Sequence, residues 1–219
     1  MKKECKISLP FYKIAYAACF VILLSLIRGV YVSREVGIAL EPQIALLASV
    51  FCADTYVAEI IAKRSEVWRL YPPKKKLLAI YTRLFLQISF LFLLAAAGYG
   101  LFFLFQKPTL FANAVHEAAQ FLVFLASVLI TIAFWSILAN TLACVFRNMW
   151  LAIGACLLLW IITNSSLGVR YLGKWNVFSY TFREINGSGD FSWLCGKVVC
   201  VFVGIIAIAA LPRIIKKRG

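Results

Sequence analysis

The sequence predicts an all-α, polytopic membrane protein with six transmembrane helices and a short amphipathic cytoplasmic helix between the second and third spans. Two observations point there first. Of the 219 residues, 63% are hydrophobic and only 15% are charged, more apolar surface than a soluble domain of this length can bury. Several apolar runs also approach the roughly 20 residues needed to cross a bilayer core about 30 Å thick. Lipid offers the backbone no hydrogen-bond partners, and helices satisfy their own. No polar segment exceeds roughly 30 residues, too short for a separate domain, so residues 1–219 read as a single membrane domain.

The first span is expected over about 11–31, with Pro10 suited to its first turn. Its start, "MKKECKISLPFYKIAYAACFVILLSLI", has the basic and apolar regions of a signal peptide. No small-x-small cleavage site follows before "RGVYVSREVG", so an uncleaved first span is expected. The second span covers about 36–62 after the polar break "SRE", and the third about 76–105, ending at "QKP". The fourth covers about 114–146, and "RN" makes a tight turn into the fifth, about 149–163. A polar outer segment, 164–192, precedes the sixth span, about 193–211, and Pro212 opens a basic tail. The seven cysteines fall mostly within these spans with no C-x-x-C pair, and read as small packing residues.

A third observation, charge, orients the spans. With a cytoplasmic N-terminus, the inner segments hold fifteen Lys and Arg and the outer ones seven, with Arg83 just inside the third span. That satisfies the positive-inside rule with both termini in the cytoplasm. Topology and attraction to the anionic leaflet therefore account for most of the net charge of +14. A nucleic-acid partner is not needed to explain it.

The charge concentrates in "AEIIAKRSEVWRLYPPKKKLLAIYTRLF", Ala58 to Phe85, with seven Lys and Arg and two Glu in 28 residues. Ile60, Val67, Leu70 and Tyr71 fall near one face at helical spacing. Glu59 precedes Lys63 by four residues, the favourable order for a helical ion pair. Pro72 and Pro73 stop the helix. A stubby surface helix over about 63–71 is expected, presenting Arg64, Glu66, Trp68 and Arg69. Composition alone would make this an ordinary basic loop that fixes topology.

The order of the residues resembles something more specific. Glu59, Arg64, Glu66, Leu70, Pro72 or Pro73, Lys74 to Lys76 and Arg83 follow the run "E…R…GT-x-E-x-L-x-x-x-P-x-S/R-R…K". That run lies between the second and third spans of ABC (ATP-binding cassette) transporter permeases of the type 2 exporter class. "RS" replaces the family's Gly-Thr, and Arg83 its late Lys. "ILANTLACVFRNMWLAIGACLLLW", Ile137 to Trp160, is similar to the family's fourth and fifth spans and their tight basic turn. The resemblance implies that Glu59, Arg64, Glu66, Val67, Trp68, Arg69 and Leu70 form the coupling element that docks into a separate ATPase subunit. It further implies a second permease copy or similar permease, surrounding lipid, and ATP and Mg bound by the partner. The setting would be a bacterial plasma membrane.

This chain has no "G-x-x-x-x-G-K-S/T" loop, so it is not expected to be an enzyme itself. "HEAAQ", His116 to Gln120, begins like a zinc-protease motif, but Gln120 stands where the second His is required and His116 is the sole His. No metal site is expected, and His116 and Glu117 read as polar residues near the outer entrance of span four, with contact to substrate or a partner, along a translocation path or dimer seam, as the alternative for His116. Asp54 lies inside span two, where a carboxylate is costly and usually faces a bundle interior or wet cavity. It either bonds a neighbouring helix, sits near the interface, or lines a translocation path or dimer seam. Glu41, beside Pro42, Arg83 and Asn140 are candidates of the same kind, and Arg83 lies within snorkelling reach of the inner interface. The outer segment reads either as short interfacial helices capping the mouth or as a loop with Trp175 and Trp193 in the aromatic belt. Its "NSS" and "NGS" match glycosylation sequons, which matter only in a eukaryotic secretory pathway.

The leading expectation is a permease subunit of an ABC exporter for a hydrophobic or amphipathic cargo, best a peptide or drug-like compound. The alternatives are a non-transporting membrane protein, such as an immunity, sensor or assembly factor, and a membrane-embedded enzyme. The last needs clustered carboxylates or His, and the acids here are scattered.

Overall fold

The structure, a computed structural model, describes residues 2–61, 70–110, 114–178 and 193–218. Among these, every regular element except one isolated bridge is helical. The helices are α1 (Lys2–Ser8), α2 (Phe11–Ile27), α3 (Ser33–Cys52), α4 (Asp54–Ile61), α5 (Pro73–Gln106), α6 (Ala114–Phe146), α7 (Met149–Asn164), α8 (Ser166–Leu172) and α9 (Trp193–Arg218), with a 3-10 turn over Gly173–Trp175.

Four segments among the described residues are long and apolar enough to cross a membrane: α3 with α4 (Ser33–Glu59), α5, α6 and α9. A fifth forms if α7 and Ser166–Trp175, bent by 72°, count as one span. The first expected span falls short. Helix α2 has 17 residues, which at 1.5 Å per residue rise about 25 Å. It ends at Ile27 rather than Tyr31 because the Gln106 side chain intervenes. Gln106 Nε2 donates to the carbonyls of Ser25 and Arg28 (both 2.6 Å), and its Oε1 accepts the Val30 amide (2.8 Å). The chain then pairs Tyr31 and Ser33 with Thr109 through two backbone hydrogen bonds.

Helix α3 passes into α4 at Ala53, which keeps right-handed helical angles (φ −60°, ψ −31°). Two carbonyls at this interruption find other donors: Phe51 accepts from Lys13 Nζ (2.9 Å) and Cys52 from Thr55 Oγ1 (2.8 Å). The expected tight turn is present. Arg147 takes a left-handed conformation (φ 53°), and Asn148 Oδ1 caps α7 by accepting the Trp150 amide (2.9 Å). Pro212 does not end the last helix, which continues to Arg218. Proline removes the bond to the carbonyl four residues back. Here that carbonyl, Ile208, accepts from Tyr81 Oη (3.2 Å), and Leu211 and Ile215 remain buried beyond it.

Helix α6 is the central element, packed against α3, α5, α7 and α9. It runs parallel to α3: Ser33 meets Glu117 near the start of both, and Glu41 meets Ser127 and Thr131 further along. Trp135, Phe51, Phe102, Phe124 and Phe178 fill the core. Helix α2 lies on α5 where Gly98 admits it; a Cβ there would stand 2.7 Å from Val21 Cγ1. One end of the bundle gathers α1, the end of α4, the start of α5, the Arg147–Asn148 turn and the end of α9.

Candidate functional site

Among the described residues four ion pairs, in three clusters, organise the interior, and each cluster joins segments far apart in sequence. Arg83, on the third turn of α5 and 4% exposed, donates from Nη1 to Glu59 Oε1 and from Nε to Glu4 Oε2, both at 2.6 Å. A guanidinium suits this role because its donors form a fixed fork. Two carboxylates hold Arg83 among the helices. Just above, Gln87 accepts from Thr55 Oγ1 (2.8 Å) and donates to the Ser8 carbonyl (3.2 Å). The N-terminal helix is thereby fastened across α4 and α5. Glu59 was expected to pair with Lys63, which lies outside the described residues.

Asp54 is paired as well. Its Oδ1 accepts from Lys13 Nζ, and that ammonium also lies 5.1 Å from the centre of the Phe51 ring. A neighbouring helix therefore supplies the partner of this carboxylate. Its side chain keeps 22% exposure and lines a cavity of about 520 Å³ with Val57, Ala58, Arg147, Asn148, Met149 and Trp150. The cavity lies at the end of the bundle that holds α1 and the Arg147–Asn148 turn.

The third pair is the most enclosed. Glu41 and Lys197 have side-chain exposures of 0% and 1%, and Lys197 Nζ donates to Glu41 Oε1. The same ammonium donates to Thr131 Oγ1 (2.8 Å) and the Val177 carbonyl (3.0 Å), and Glu41 Oε1 also accepts from Ser127 (3.0 Å) and Thr131 (2.7 Å). Buried charges persist when paired and hydrogen-bonded, and both conditions hold. Next to Glu41, the Pro42 carbonyl accepts from Trp160 Nε1 (2.7 Å), tying α7 to α3. The pair thus links α3, α6, α9 and the stretch after the 3-10 turn.

Asn140 is fully buried on α6, and neither of its side-chain polar atoms has a hydrogen-bond partner. His116 lies in the first turn of α6 with its side chain outside the described set. Its neighbour Glu117 accepts from Ser33 Oγ (2.9 Å). Among the described residues no group of three or more His, Cys, Asp or Glu could hold a metal ion. Arg64, Glu66, Val67, Trp68 and Arg69 of the expected coupling helix lie outside the described residues, while Leu70 is 84% exposed. The outer segment begins with the short helix α8 and the 3-10 turn, bent away from α7. Asn176 then donates to the Thr163 carbonyl (2.9 Å) and Phe178 is buried; residues 179–192 lie outside the described set.

Sequence reasoning singled out Arg83 and Glu59 in the first cluster, Asp54 in the second and Glu41 in the third. It missed Glu4, Lys13 and Lys197 as partners, counting the two lysines toward topology. The available signal was a lone lysine within or beside an apolar run, since intramembrane charges seldom stand alone. Comparison with protein-family models, curated proteins and solved structures returned no match to this chain.

Proposed function

We propose that this chain is the membrane-spanning permease subunit of an ABC exporter, working as a pair of permeases on two separate ATPase subunits. The observation that carries this reading is the Glu59–Arg83 pair, closed at 2.6 Å with Glu4 as its third member. These residues bracket the basic segment that resembles the family's coupling element. A segment held between two helices that are pinned together can pass a rigid-body movement to both of them. The two residues also stand at the family pattern's first Glu and last basic position. On this reading α2 is the remaining span of six, embedded with the help of its flanks. Both termini and the basic segment face the cytoplasm of a bacterial cell, in keeping with the positive-inside rule.

The residues assigned to the ATPase contact are Glu59, Arg64, Glu66, Val67, Trp68, Arg69 and Leu70, with Trp68 and Arg69 as anchors, residue types enriched at interface hot spots. ATP and Mg bind the partner. The cargo is hydrophobic or amphipathic, a peptide or drug-like compound, moved by alternating access or along a lateral path between the two bundles.

Gentle solubilisation of the native membrane and affinity capture of the chain, followed by mass spectrometry, tests this. A stoichiometric ATPase subunit, lost when Trp68 and Arg69 are both changed to Ala, is the expected result. No ATPase under several mild detergents would overturn the reading and leave an immunity, sensor or assembly role.

A further inference from the structure

Ser136 and Asn140 stand one turn apart on α6, and both are fully enclosed. Ser136 Oγ, Asn140 Oδ1 and Asn140 Nδ2 lack a hydrogen-bond partner among the described residues. The Cys52 thiol lies beside Ser136, but a thiol is a weak donor and acceptor. Buried polar atoms are almost always hydrogen-bonded, to protein or to ordered water. The requirement is stricter in a helix that crosses lipid, where bulk water is not at hand. Thr131, Thr55, Gln87 and Lys197 in this interior all have named partners. Among the described residues Gln120 Oε1 and Trp135 Nε1 of the same helix also lack one, but Asn140 alone lacks it at two atoms, and Ser136 stands one turn from it.

Side chains at i and i+4 on a helix lie about 5–6 Å apart at Cβ. One small molecule that both donates and accepts can bridge that gap. The chemistry sets its class. Nδ2 needs an acceptor, Oδ1 needs a donor and the hydroxyl takes either. An ammonium or metal cation leaves Nδ2 unsatisfied, and an anion leaves Oδ1 unsatisfied. A neutral donor–acceptor serves all three, and a buried water with two to four polar partners is the usual solution.

We infer that Ser136 and Asn140 form a bound-water site in the interior of α6. The water bridges the Ser136 hydroxyl and the Asn140 amide and is part of the folded structure.

The test uses the full chain in deuterated nanodiscs with ¹⁵N-labelled asparagine. The Asn140 side-chain signal is assigned by its disappearance in Asn140→Leu, or in Asn140→Ser if the first variant fails to fold. A rotating-frame cross-peak from the Asn140 amide protons to long-lived water is expected, and it should vanish in Ser136→Ala while the Asn140 signal itself remains. Absence of the water cross-peak in the parent protein, or its persistence at full intensity in Ser136→Ala, would overturn the assignment. Thermal unfolding gives an independent reading. Ser136→Ala should lower the melting temperature in the parent and change it much less in the Asn140→Leu or Asn140→Ser background; equal shifts in both would contradict a shared ligand.

Discussion

Replacing Lys197 with Met removes one charge from the most enclosed ion pair and keeps nearly the same side-chain volume. In the parent, the ammonium donates to Glu41 Oε1, to Thr131 at 2.8 Å and to the Val177 carbonyl at 3.0 Å. Lys197→Met takes the ammonium away from a Glu41 carboxylate at 0% exposure, which keeps the hydroxyl donors of Ser127 and Thr131. Breaking a buried pair from one side costs about 3–5 kcal/mol, because the remaining charge is uncompensated. For a chain of this size, at roughly 2–4 °C per kcal/mol, the melting temperature should fall by about 6–20 °C. The double variant Glu41→Leu with Lys197→Met removes both charges. Thr131 keeps its bond to the Ser127 carbonyl (3.0 Å), so the double variant should recover most of the loss, to within about 2 kcal/mol of the parent. The assay is thermal or detergent-driven unfolding of purified protein, followed by reactivity of the buried cysteines Cys52, Cys144, Cys156 and Cys200. A loss under about 0.5 kcal/mol for Lys197→Met would refute the reasoning, since that is the range of an ordinary surface substitution. So would a double variant as unstable as the single one.

Three further outcomes follow from the same geometry. Arg83→Gln leaves Glu4 and Glu59 facing each other without a cation, and should raise hydrogen exchange and protease cleavage across residues 2–9 before the rest of the bundle responds; unchanged protection there would contradict the clamp. Gln106→Leu strips donors from the Ser25 and Arg28 carbonyls and an acceptor from the Val30 amide. It should cost about 1–3 kcal/mol if one of these groups remains buried and unsatisfied, read by unfolding and by faster exchange at Val30. Gly98→Ala drives a methyl to 2.7 Å from Val21 Cγ1, an overpacking worth about 1–3 kcal/mol, and Val21→Ala in the same chain should relieve it.

What the sequence revealed and concealed divides along physical lines. Apolar runs bounded by prolines and charges marked α5, α6 and α7 closely, because hydropathy and turn chemistry are local. The Arg147–Asn148 turn was legible for the same reason: Asn148 is a good N-cap and a basic dipeptide interrupts two apolar runs. Helix α2 was drawn too long because its end depends on Gln106, a residue in another helix. Pro212 was read as a stop, yet Tyr81 supplies the bond that proline removes, so the helix continues. The candidate site followed the same rule. Asp54, Glu41 and Arg83 stood out as charges in apolar surroundings. Their partners Lys13, Lys197 and Glu4 lie 41, 156 and 79 positions away, and nothing in local spacing connects them. Lys197 in particular was counted as an outer charge, whereas it is the buried counter-ion of Glu41.

The central proposal is that the basic segment after α4 is where a nucleotide-hydrolysing partner grips this chain. The most direct measurement places a photo-crosslinking amino acid at position 68, irradiates intact membranes and identifies the adduct. A matched control carries the same group at position 172, where the native leucine is 39% exposed at the opposite end of the bundle. An adduct at 68 with a protein bearing a "G-x-x-x-x-G-K-S/T" loop, absent at 172, is the predicted result. Adducts with lipid alone at 68, or the same adducts at both positions, would contradict it.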